Sequence, residues 1–290
     1  MRVVIQQVDM DTCLAAFVLG VSNQDQIEMV QGGAAPEDLA DPSVLCIEAG
    51  GSGQVHLNNF DHHDTPLPLP PACRQALTAA GRIDPAICRL VDYAAVLDTA
   101  GPSALPRSPE PGFPTLSSVF SGMRFFLERD PKEQLRAGLA ILGTVVEQGI
   151  DPFGLIPERP EWGAFLQAKR RERDAIEWVK AEAEIFSARS GRRVGFLQTD
   201  VKEAPGALYG LGCEIAVAYS PRFTPPSGGA PICKYTIAGN NGIRVDHLLP
   251  HLNALDPGWG GPAHGTIIGS PRRGTPLSPE AVKRIVADYT

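Results

Sequence analysis

Residues 44–64 read VLCIEAGGSGQVHLNNFDHHD, and their pattern sets the frame for the rest of the chain. The apolar run at 44–48 predicts a buried strand, and Gly50, Gly51 and Gly53 predict a tight turn after it. A second strand is expected over 54–60, with Asp61, His62, His63 and Asp64 at its carboxyl end. Upstream, RVVIQQV at 2–8 is a β-branched run, followed by Asp9 and Asp11 and then by TCLAAFVLG, an apolar helix start. A further strand is expected over 27–31. Strands that alternate with helical stretches predict an α/β fold with a parallel sheet, whose ligands gather beyond the carboxyl ends of the strands.

Downstream, the proline-rich stretches at 64–71 and 102–114 read as connections, since proline can neither donate in a central strand nor sit in a helix interior. Helices are expected over 116–130 and 132–149. Residues 161–187 carry a helical period with Trp162, Phe165, Ile176, Val179 and Phe186 on the apolar side. At 1.5 Å per residue such a helix would span ~40 Å, enough to link two lobes. The remainder has three strand-like runs (VGFLQT, EIAVAY, CKYTIAG), a helix near 243–254, a glycine-rich turn at 258–269 and a final helix opening at Ser278-Pro279-Glu280. The expected organisation is an N-terminal parallel-sheet domain over 1–157, a linker helix over 158–189 and a smaller α/β domain over 190–290.

With 290 residues, 43% hydrophobic and 20% charged, the chain can bury a sizeable core. It contains no apolar stretch near the ~20 residues of a membrane span, and MRVVIQQVD lacks a signal-peptide layout, so a cytoplasmic location is expected, with no membrane partner. Cys13, Cys46, Cys73, Cys88, Cys213 and Cys233 form no Cys-x-x-Cys pair and read as reduced. A net charge of -7 excludes broad attraction to nucleic acid, and the basic stretch at 168–193 reads as a solvated helix face.

The chemistry points to a metal. Neutral imidazole and carboxylate are the donors that hold divalent cations in hydrolytic sites. Asp9, Asp11, Glu48, Asp61 and His62 all fall at expected strand ends, which is the geometric reason for them to converge. His247 and His251 have zincin-like spacing without the required Glu, and read as surface or core histidines.

The order Asp9-x-Asp11, then Glu48-Ala49-Gly50-Gly51, then Asp61-His62-His63, then a later helical Asp, resembles the DHH phosphoesterase superfamily. GWGGPAHGTIIGSPRRGT near the C-terminus is similar to the substrate loop of that family's DHHA1-type domain. The resemblance implies a metal-dependent phosphohydrolase whose ligands to two Mn²⁺ or Mg²⁺ ions are Asp9, Asp11, Glu48, His62 and a later Asp. Asp98 is the choice for the last ligand, with Asp92 and Asp151 as competitors. Four such carboxylates would balance the charge of two divalent cations. The resemblance assigns Asp61 and His63 to catalysis, His63 lying close to the phosphate. Gly260, Gly261, His264, Ser270, Arg272 and Arg273 are the candidates for binding substrate: a small phosphorylated molecule, a short single-stranded oligonucleotide or a polyphosphate-like anion. A homodimer is left open. Three positions depart from the family pattern: Gln7 stands where a histidine is usual, Glu48 where an Asp is usual, and Pro262 where a histidine commonly follows the two glycines. These departures keep a non-catalytic metal- or nucleotide-binding protein as an alternative. VVIQQVDMDT also resembles the haloacid-dehalogenase-like phosphatases, in which Asp9 would be the nucleophile and Asp11 the acid/base.

Overall fold

The computed structural model describes every residue except 66, 102, 103, 106–112, 129, 202, 203, 225–229, 263 and 264. Most of the proline-rich connection expected over 102–114, and the candidate His264, therefore lie outside the described residues. The chain divides into two compact units, Met1–Arg170 and Arg171–Thr290.

The first unit is built on four parallel strands, β1 (Arg2–Ile5), β2 (Gln26–Met29), β3 (Val44–Ile47) and β4 (Asn59–Phe60), in the order β2-β1-β3-β4. Their side chains alternate between two cores, as a period of two demands. Val3, Ile5, Leu45 and Ile47 face a large apolar cluster, whereas Val4, Val44 and Cys46 face a smaller one with Leu39. Each fully buried Val, Leu or Ile contributes ~1.5–3 kcal/mol, which explains why the strands read as unbroken apolar runs. The larger core is closed by α1 (Met10–Val18), α3 (Ala72–Ala80), α4 (Pro85–Ala100), α5 (Leu116–Phe126) and α6 (Pro131–Glu147), while α2 (Pro36–Ala40) lies on the smaller one. Local chemistry starts these helices. Asp84 caps α4 ahead of Pro85, Asp130 caps α6 ahead of Pro131, and Thr115 with Ser118 forms a capping box for α5.

The strand expected over 54–60 is shorter than its sequence suggests. Val55–Leu57 makes a single 3₁₀ turn, and Asn58 takes a left-handed φ of 59° with its side-chain amide donating to the Pro42 carbonyl at 2.7 Å. Asparagine tolerates that conformation, so only Asn59 and Phe60 remain to pair with β3.

The long helix expected over 161–187 also needs correction, and with it the linker helix over 158–189. α7 spans Gly163–Lys180, and Glu184–Ser187 is a strand, β5, paired antiparallel with β6 (Arg193–Gln198). Phe186 packs against the second unit's core from that strand. One apolar side chain thus fits either period, and the pairing with β6 decides between them.

The second unit holds a mixed sheet, β5-β6-β7-β8-β9, with β7 (Ile215–Phe223), β8 (Ile232–Gly239) and β9 (Ile267–Gly269). Only β6 and β7 run parallel. Val194, Ile215, Val217 and Ile237 pack with α9 (Leu249–Leu255) and α10 (Pro279–Tyr289) through Leu252 and Val286. On the other face, Leu197 and Ala216 pack on α8 (Ala204–Gly210). Pro250 lies in the first turn of α9, where no intrahelical donor is needed, and Ser278 caps α10 through the Ala281 amide. None of the six cysteines is in a disulfide, and no described helix is long and apolar enough to cross a membrane.

Candidate metal centre

The sheet order explains which loops meet. β1, β3 and β4 are neighbours, so the segments leaving their carboxyl ends, with Asp9 and Asp11, Glu48, and Asp61 to His63, are adjacent. The edge strand β2 carries none of the candidate residues.

Asp9 is the N-cap of α1, with Oδ1 accepting from the Thr12 amide at 3.0 Å and Oδ2 from the Gln7 side chain at 3.2 Å. Asp11, in the first turn of α1, is buried and reaches a different helix. Its two oxygens accept from the amides of Ala72 at 2.7 Å and Cys73 at 2.9 Å, the first residues of α3. A carboxylate oxygen has two lone pairs, so both retain acceptor capacity.

Glu48 directly follows β3 and has a φ of 50°, a conformation that costs a residue with a Cβ ~1–3 kcal/mol. Its buried carboxylate lies with Oε2 3.4 Å from the Thr12 hydroxyl and Oε1 3.2 Å from His62 Nε2 and 3.5 Å from His63 Nδ1. The following turn is held by carboxylates. The Gly50 amide donates to Asp61 Oδ2 at 2.6 Å, and those of Gly51 and Ser52 to Asp64 at 3.1 and 3.0 Å. Those amides are therefore spent within the protein, in the tight turn that the glycines predict. Gly51 is required there, since at its φ of 74° a Cβ would stand 2.8 Å from the Asn59 amide nitrogen.

Asp61 is buried, and its Oδ1 accepts from the His63 amide at 2.7 Å and lies 3.1 Å from His63 Nδ1. His63 is thereby oriented, with a side chain 61% exposed, while that of His62 is 15% exposed. The late aspartates separate clearly. Asp98, near the end of α4, has Oδ2 3.4 Å from His62 Nε2, whereas Asp92 pairs with Arg74 at 2.7 Å and Asp151 grips Arg89 with both oxygens.

Two donor triads result. One atom each from Glu48, His62 and His63 lie within 4.8 Å of one another, as do atoms from Asp11, His62 and Asp98. Asp9 stands outside both triads; burial raises the Asp98 carboxyl, and the charge of Asp9 adds to that rise. Burial, reinforced by the charge of Glu48, pushes the Asp11 carboxyl up to about 7. His62 is raised to about 9, chiefly by Glu48 and further by Asp98 and Asp11, against the opposing effect of its burial. Protons thus stand in for cationic charge within a crowded set of acids.

The donor set fits a divalent cation on a separate ground. Glu48 Oε1 and His62 Nε2 are both buried and face each other at 3.2 Å as an ion pair, with no well-aligned hydrogen bond to either among the described residues. Such a pair is imperfectly satisfied, and coordination of both atoms to a cation would replace the proton between them. Mixed imidazole and carboxylate donors suit Mn²⁺ and, with more oxygen, Mg²⁺.

In the second unit the candidate residues are less uniform. Gly260 pairs with Gly269 through both backbone hydrogen bonds, and Gly261 must be glycine because a Cβ would meet the Ile267 carbonyl at 2.1 Å. Ser270 is buried with its hydroxyl accepting from the Tyr235 amide at 2.9 Å. Arg273 is committed to Asp256 and to the carbonyls of Pro257 and Gly274. Arg272 is exposed and makes no ion pair among the described residues. Thr12, Ser52 and Gln75 support the first unit's site and are not singled out by the sequence. Their one sequence signal is a polar residue within an apolar or glycine-rich stretch.

No protein-family model matches the chain, and no curated protein matches it in sequence. Solved structures do. A pGpG-specific phosphodiesterase from Vibrio cholerae aligns over 98% of this chain and 94% of its own, with a TM-score of 0.59 and 14% identity. The DHH domain of a member of a family of ribosomal proteins aligns over 92% of this chain and 82% of its own, with a TM-score of 0.54 and 12% identity. The chain has the fold of DHH-domain proteins, as its motif order implied.

Proposed function

We propose that the protein is a divalent-metal-dependent phosphoesterase that hydrolyses a phosphoester or phosphoanhydride of a small nucleotide, a short oligonucleotide or a polyphosphate-like substrate. The observation that carries this reading is the buried pair of metal-donor atoms, Glu48 Oε1 and His62 Nε2, 3.2 Å apart and flanked by Asp98 and Asp11. These four residues, with Asp9 beside them, would hold Mn²⁺ or Mg²⁺. Paired divalent cations supply an activated water and stabilise the oxygens of an in-line displacement at phosphorus.

The chain's own groups do the rest. Asp61 lies 3.1 Å from His63 Nδ1 and favours a proton there, which leaves Nε2 of this exposed imidazole to take up a proton and deliver it to a phosphate oxygen. Of the two candidate arginines, Arg272 is the one free among the described residues to grip a phosphate, since Arg273 is engaged with Asp256. The fold shared with a pGpG-specific phosphodiesterase supports including short linear dinucleotides among the substrates to be tried.

The test is metal analysis of the purified protein, then a panel of dinucleotides including pGpG, short single-stranded oligonucleotides and polyphosphate, with Mn²⁺, with Mg²⁺ and with chelator. Metal-dependent release of mononucleotide or phosphate is expected, and His63→Ala should lower kcat by roughly 10²-fold or more. Metal binding without turnover on any substrate would instead favour a binding protein, and absence of metal binding would refute the centre itself.

A further inference from the structure

α3 is attached to the candidate metal centre twice. Its first amides, on Ala72 and Cys73, donate to the two oxygens of Asp11. One turn along the helix, the side-chain amide of Gln75 donates to the Asp61 carbonyl at 2.9 Å and to the Pro70 carbonyl at 2.8 Å. Gln75 is 7% exposed, and the Asp61 carbonyl that it holds belongs to the residue directly before His62.

We propose that Gln75 is a positioning residue of the metal centre, which sets His62 and His63 against Asp11 by tying the Asp61 backbone to the helix that Asp11 caps. The inference rests on the reading of this cluster as a metal centre. Three features argue for it. β4 has only two residues, and its pairing with β3 ends at Phe60, so strand hydrogen bonds do not extend to the histidines. The Asp61 side chain is used on Gly50 and His63, which fixes the turn internally and to the glycine loop, and Gln75 adds a tie to α3. Gln75 Oε1, in contrast, is buried without a hydrogen bond among the described residues. Methionine would fill the same space without burying an unmatched carbonyl, so packing alone does not account for an amide there.

Gln134 supplies a matched control. It is 9% exposed in α6, and its side-chain amide likewise donates to two backbone carbonyls, those of Arg124 and Leu127, each at 3.1 Å. The experiment compares the wild type, Gln75→Met, Gln75→Glu and Gln134→Met. Each is measured for Mn²⁺ affinity by titration calorimetry, for the visible spectrum of the Co²⁺-loaded protein and for Tm without metal. Gln75→Met and Gln75→Glu should bind Mn²⁺ at least roughly tenfold more weakly and shift the Co²⁺ bands, as the loss of a group that orients ligands does. Gln134→Met should lower Tm and leave both metal readouts at wild-type values. The glutamate variant keeps the side chain's size and carries the test if the methionine variant does not fold. Wild-type Mn²⁺ affinity and an unchanged Co²⁺ spectrum in a folded Gln75 variant would show that Gln75 only packs, and would overturn the inference while the metal-centre reading stands. Failure of the wild type itself to bind either ion would overturn both.

Discussion

Three aspartates compete for the last place in the proposed ligand set, and their partners separate them. Asp92 and Asp151 face arginines, whereas Asp98 faces His62 and no arginine pairs with it among the described residues. Asp98→Asn is therefore expected to weaken Mn²⁺ binding by at least about tenfold, equivalent to ~1.4 kcal/mol. Asp92→Asn, which touches only an exposed ion pair, should leave affinity within a factor of about two. Calorimetric titration of both variants decides the matter, and equal affinities would remove Asp98 from the set. Much of this site is legible because donor residues at the ends of adjacent parallel strands have few other places to go. Asp98 needs the motif order as well, since nothing in LVDYAAVLDTAG distinguishes one helical Asp from the other. Gln75 is illegible: its role follows from burial beside a turn 14 residues earlier in the chain, which no local pattern encodes.

At the scale of elements, the sequence marks helices by their caps and strands by their apolar runs, and it fails where tertiary contacts override a local period. β5 reads as the end of a helix because Phe186 fits both periods, and α3 escapes notice because ACRQALTAA follows prolines and has only a narrow apolar side. Close approach between helices is equally hidden. Gly138 in α6 lies against Cys13 in α1, where a Cβ would stand 2.5 Å from the sulfur. Gly138→Ala should thus destabilise the protein by ~1–3 kcal/mol through overpacking, despite alanine's better helix propensity. Combining it with Cys13→Ala should recover part of that loss, giving a coupling of ~0.5–3 kcal/mol in urea unfolding. Because Asp11 lies two residues before Cys13 on α1, the single Gly138 variant should also bind Mn²⁺ more weakly. Additive effects of the two changes would show that α1 and α6 do not meet at this point.

For the molecule as a whole, the acids gathered around His62 make stability depend on pH in a direction opposite to that of ordinary ion-paired carboxylates. Asp11 is raised from 3.8 to about 7 and His62 from 6.5 to about 9. Both groups hold their protons more tightly in the folded chain than in the unfolded one, so the folded state binds more protons wherever these groups titrate. The contribution of Asp11 is complete below pH ~4 and is lost as pH rises to about 7. That of His62 is complete below pH 6.5 and is lost as pH rises through about 9. Aspartates held low by hydrogen bonds or ion pairs, such as Asp25, Asp64 and Asp151, lose their contribution only in more acid solution and leave this window unaffected. The metal-free protein should accordingly lose stability between pH 6 and pH 8.5. A divalent cation competes with those same protons, so its affinity should rise over that range. At a concentration of 100 Kd it would stabilise the fold by ~2.7 kcal/mol. Melting curves at pH 6, 7 and 8.5, with chelator and with about 0.1 mM Mn²⁺ added (about 100 Kd for a micromolar site), should show the gap in Tm widening with pH. A gap that stays constant, or a metal-free Tm that rises with pH, would mean that the protons on Asp11 and His62 do not occupy the place of a cation.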